Sequence, residues 1–79
     1  MPAITGIELI YFLVKDGWVK GRKAKHGRCL TKKFPGKTRV TFVPEVKGSL
    51  PDGTLRAILG TLQTGIGTKG LKELIKKYR

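Results

Sequence analysis

One histidine, His26, stands in the densest positive charge of this 79-residue chain, with Arg22, Lys23, Lys25 and Arg28 all within four positions of it. An imidazole exchanges its proton close to neutrality, so it can serve as a general base or acid at physiological pH. Cations crowded around it disfavour the imidazolium and keep the ring neutral. The same cations stabilise negative charge that develops on a phosphate. RNA carries its own nucleophile, the ribose 2′-OH, so such a set is sufficient to break an RNA backbone without a metal ion. An equivalent grouping also grips phosphate or base with no chemistry at all, and the residue types alone leave both readings open.

Other chemistries find little support. The five carboxylates, Glu8, Asp16, Glu45, Asp52 and Glu73, are scattered along the chain, whereas metal-dependent phosphodiester cleavage gathers several around a cation. No metal site and no cofactor is expected, because no phosphate-binding or dinucleotide-binding glycine motif and no Cys/His ligand spacing occurs. Ser49 is the only serine and Cys29 the only cysteine. A solitary cysteine excludes an internal disulfide and makes a reducing cytoplasm the expected location.

Charge narrows the partner class. Seventeen Lys and Arg oppose five Asp and Glu, a net charge of +12 and a pI near 10.4. From Lys20 to Arg39 there are nine basic residues and no acidic one, so Lys32, Lys33 and Arg39 extend the candidate phosphate-binding set begun by Arg22, Lys23, Lys25 and Arg28. A stretch of this kind favours a polyanion over a membrane surface or an acidic protein, because each neutralised phosphate releases counterions. The apolar run from Ile7 to Val14 carries Glu8, is too short to cross a bilayer and has no basic leader, so a core helix is expected there rather than a signal.

The elements that must position these groups are legible in the chain. Thr5 and Glu8 form a Thr-x-x-Glu capping box, Ile4 and Leu9 a hydrophobic staple, and Gly17 a left-handed stop, which predicts a helix over 4–16 with Leu9, Ile10, Leu13 and Val14 buried. Strands are expected over 18–22, 26–34 and 38–43, the last two joined by a Pro35-Gly36 turn. Trp18, directly after the helix stop, reads as a core anchor. Ser49 with Asp52 resembles a second cap; Leu55, Ile58, Leu59 and Leu62 then repeat at helical spacing, as do Leu71, Leu74, Ile75 and Tyr78. Helix, three antiparallel strands, helix and an added C-terminal helix make one two-layer α+β domain, in the order of the double-stranded RNA-binding domain.

Four segments together resemble the HicA family of mRNA interferase toxins: Leu13-Val-Lys-Asp-Gly-Trp18, the lone His26 opening a strand, Arg39-Val-Thr-Phe-Val-Pro44, and Leu50-Pro-Asp-Gly-Thr-Leu-Arg-Ala-Ile-Leu59. The resemblance runs from about Ile7 to Tyr78 and is most specific in the last segment. It implies a double-stranded-RNA-binding-like fold, metal-independent cleavage of mRNA that arrests translation, and His26 as the catalytic residue. It also implies a HicB-like antitoxin protein as partner, beside mRNA; no membrane and no DNA by itself is expected. Where the family shows Gly-Ser-His, this chain reads Ala24-Lys25-His26, and Gly21 stands where an arginine is usual. The alternative is accordingly a non-catalytic basic RNA-binding module of the same fold.

Overall fold

The computed structural model describes residues 3–25 and 27–79. The first helix, α1 (Gly6–Lys15), starts as its sequence dictates: the Glu8 backbone N–H donates to Thr5 Oγ1 at 3.0 Å, and the Thr5 N–H donates to Glu8 Oε1 at 3.1 Å. Arg79, at the far end of the chain, donates to the other Glu8 carboxylate oxygen at 2.7 Å. The Thr5 N–H foremost, and Arg79 after it, hold the Glu8 carboxyl below its ordinary pKa of 4.5.

α1 buries Leu9, Ile10, Phe12 and Leu13. The expected stripe is therefore rotated: Val14 is 43% exposed, and Phe12 takes its place at 2%. The cause is the C-terminal helix, which packs beside α1 and brings the Arg79 guanidinium 6.0 Å from the Phe12 ring centre.

Three strands follow, β1 (Val19–Ala24), β2 (Gly27–Phe34) and β3 (Lys37–Val43), paired antiparallel in the order β1-β2-β3. Gly17 and Gly36 both take positive φ, at 102° and 80°, which is the left-handed geometry expected at the helix stop and in the turn between β2 and β3. Alternation along the strands turns Leu30, Thr41 and Val43 inward, each at most 1% exposed. Trp18 is the core anchor expected of it, 2% exposed and edge-on to Phe34 with ring centres 6.4 Å apart.

The second helix, α2 (Asp52–Leu59), has Pro51 as its N-cap, with no side chain accepting from its first turn. The Ser49–Asp52 cap is thus not made; the Ser49 backbone instead bridges to Thr5, tying the start of α1 to the entry of α2. Leu62 is 97% exposed, because Gly60 ends α2 before the helical repeat reaches it. Buried Thr64 closes the loop by donating its hydroxyl to the Ile58 carbonyl at 2.7 Å. A last helix, α3 (Gly67–Tyr78), contributes Leu71 and Leu74 to the same single core as α1, α2 and the sheet. Helices cover one face of a three-stranded antiparallel sheet: a two-layer α+β fold, as expected. Among the described residues, no helix is long and apolar enough to cross a membrane.

Candidate nucleic-acid interface

Intramolecular partners sort the basic stretch into two populations. Arg28, Lys32 and Arg39 lie on the helix-facing side of the sheet, in the same parity as Leu30, Thr41 and Val43. Each is engaged there. One Arg28 guanidinium nitrogen donates to both oxygens of Glu45, at 3.0 and 3.2 Å, and another donates to the Gly21 carbonyl at 3.2 Å. Lys32 donates to the Asp16 carbonyl at 2.8 Å and sits 3.4 Å from its carboxylate. Arg39 donates to the carbonyls of Thr61 and Gln63, strapping the α2–α3 loop to β3. Lys32 and Arg39 face each other across β2 and β3, and both lie over the Phe34 ring, at 5.4 and 5.8 Å from its centre. These three cations hold the fold together at its rim.

The second population is solvated. Arg22, Lys23, Lys25 and Lys33 are exposed, and none of them makes an ion pair or side-chain hydrogen bond among the described residues. Arg22 and Lys23 sit on β1 and Lys25 in the turn that follows, so the structure gathers these three at one end of the β1–β2 hairpin. Lys33 stands apart, toward the opposite end of β2, across from Thr38. His26 lies outside the described residues.

Local backbone chemistry shapes this hairpin. Its register slips between Lys20 and Lys23, which leaves Gly21 and Arg22 together opposite Cys29. Such a bulge adds twist and re-aims the side chains it carries. Gly27 enters β2 at φ 130°, and a Cβ there would collide with the Val43 carbonyl oxygen. Only glycine satisfies both conditions, so β2 starts pressed against the end of β3.

Carboxylates play a supporting part. Glu8, Asp16 and Glu45 are each bound to a cation of the scaffold, and no group of three or more metal-ligating side chains occurs among the described residues. At the start of α2, Gly53 and Arg56 are exposed and Thr54 is half-buried.

Two further surfaces take shape only in the fold. Ile7, Tyr11 and Val14 form an exposed stripe on α1, walling a groove of about 280 Å³ shared with Lys20 and Glu45. Val19 and Val40 join Phe42 on the uncovered side of the sheet. The signal for the second was present: in Val40-Thr-Phe-Val43 a period of two puts Val40 and Phe42 opposite Thr41 and Val43. Compared with protein-family models, curated proteins and solved structures, the chain matches none.

Proposed function

We propose that this protein is a metal-independent endoribonuclease that cleaves mRNA and so arrests translation, in the manner of the HicA toxins it resembles. The carrying observation is the solvated cluster of Arg22, Lys23 and Lys25 on the β1–β2 hairpin, next in sequence to the only imidazole of the chain. Cations with no partner among the described residues take up phosphate at no cost in broken salt bridges there. His26 accepts the proton of a ribose 2′-OH as that oxygen attacks the adjacent phosphorus; the P–O5′ bond breaks and the 5′-oxygen leaves with a proton taken from water. The products are a 2′,3′-cyclic phosphate and a 5′-hydroxyl end. The flanking cations stabilise the dianionic phosphorane between them. Arg28, Lys32 and Arg39 are instead engaged within the fold.

A cytoplasmic chain of net charge +12 that destroys transcripts requires restraint, and the matching partner is an acidic, HicB-like antitoxin protein encoded beside it. A second reading is a non-catalytic RNA-binding module, favoured by Ala24-Lys25 standing where the toxins carry Gly-Ser.

The test compares wild type with His26→Ala on a defined transcript. Cleavage by wild type alone, leaving cyclic-phosphate ends, is expected. Equal cleavage by both proteins discards His26 as the catalyst, and 5′-phosphate ends discard 2′-OH attack. Salt-sensitive RNA binding with no cleavage by either leaves the binding module.

A further inference from the structure

Helices cover one face of the sheet and leave the other bare. On the bare face the register places Val19, Thr31 and Val40 in one row and Cys29 beside Phe42 in the next. Val19 is 64% exposed, Val40 42% and Phe42 46%. Basic side chains bracket this apolar strip: Lys33 beyond one end, and Arg22, in the bulge opposite Cys29, at the other. None of the three strands contains an Asp or a Glu.

We propose that this open sheet face is a track for single-stranded RNA, with a base stacked on Phe42 and the neighbouring phosphates held by Arg22 and Lys33. The proposal rests on the RNA-binding reading above and specifies where, and in what form, the RNA lies. An apolar strip with an aromatic ring between cations fits a chain of flat bases joined by phosphates, because every base offers a face to stack and stacking tolerates any sequence. A duplex keeps its base faces covered, so it has nothing to offer Phe42. A second copy of this chain would set cations against cations, which a net charge of +12 opposes. From Cys29 to Lys33 the strand runs about 13 Å, the scale on which other RNA-binding sheets stack two or three bases. The track leads toward the β1–β2 hairpin, so a strand bound on it passes the cluster of Arg22, Lys23 and Lys25.

The experiment uses the full chain and a dye-labelled, single-stranded 2′-O-methyl oligoribonucleotide, which 2′-OH attack cannot cleave. Affinity is read by fluorescence anisotropy, and occupancy of the face by the alkylation rate of Cys29, the single thiol, which sits on the track itself. Phe42→Ala is expected to weaken binding by about 5- to 150-fold, with Phe42→Tyr retaining it and Tyr11→Ala, on the far side of the molecule, changing nothing. Bound oligonucleotide is expected to slow Cys29 alkylation in wild type in proportion to occupancy, and a duplex of the same sequence to leave it unchanged. Wild-type binding with Cys29 unprotected and Phe42→Ala unimpaired would remove the track while leaving RNA binding intact. Equal protection by the duplex would overturn the single-strand assignment. No binding by wild type at physiological salt would instead end the RNA-binding reading itself.

Discussion

Glu45, just past the end of β3, clamps Arg28 through both carboxylate oxygens, and Arg28 in turn reaches the Gly21 carbonyl of β1. One guanidinium therefore ties the hairpin edge to the loop that follows the sheet. Arg28→Ala is expected to cost about 1.5–3 kcal/mol of stability, the range for hydrogen bonds to charged groups. Chemical denaturation measures it. If Arg28 instead serves RNA, the variant keeps its stability and loses affinity.

The solvated cations behave in the opposite way. Arg22→Ala, Lys23→Ala and Lys25→Ala each remove a charge that has no partner among the described residues. Each is expected to leave the unfolding midpoint unchanged. For those that contact phosphate, the slope of log affinity for single-stranded RNA against log salt becomes shallower by about 0.7. A titration across salt concentrations separates this loss from a loss of fold.

Self-repulsion at net charge +12 opposes the folded state. Added salt screens it, so the midpoint of thermal unfolding is expected to rise between low and moderate ionic strength, by about 4–8 °C for each kcal/mol recovered in a domain of this size. Calorimetry in a series of chloride concentrations is the check; a falling midpoint would mean that the ion pairs of Glu8, Asp16 and Glu45 outweigh the repulsion.

Glu8 sets an acid limit. Its folded-state pKa is depressed, so its contribution is fully present above its ordinary value of 4.5 and is lost as pH falls through the lower folded-state value. Glu8→Gln keeps an oxygen for the capping box but removes the titration. The variant is expected to show a flatter decline of unfolding midpoint below pH 4.5 than wild type. Parallel declines would assign acid sensitivity to the other carboxylates.

Gly27→Ala puts a Cβ against the Val43 carbonyl and strains a backbone at φ 130°. The strained conformation alone is expected to cost about 1–3 kcal/mol. Urea denaturation reports the loss, and cleavage assayed below the midpoint shows whether the entry to β2 must be held in this form for activity.

Local chemistry wrote much of this fold plainly into the chain. The capping box of Thr5 and Glu8, the stop at Gly17 and the turn at Gly36 depend on residues within three positions of one another, and all appear as expected. The order of helices and strands follows from hydrophobic period, as does the burial of Leu30 and Val43. Where a neighbour distant in sequence intervenes, that legibility ends. Phe12 displaces Val14 from the core because α3 arrives beside it, and Ser49 bridges to Thr5 rather than capping α2.

The positive stretch shows the division most clearly. Composition alone sets the expectation that the chain meets a polyanion, and proximity in sequence groups His26 with Arg22, Lys23 and Lys25. Tertiary structure decided which cations are free to do so. Asp16, Glu45 and the carbonyls of Thr61 and Gln63 lie 16 to 24 positions from the side chains they capture. The pleat turns Arg28, Lys32 and Arg39 toward them and Lys33 away, and a charge becomes scaffold or surface according to what the folded chain sets opposite it.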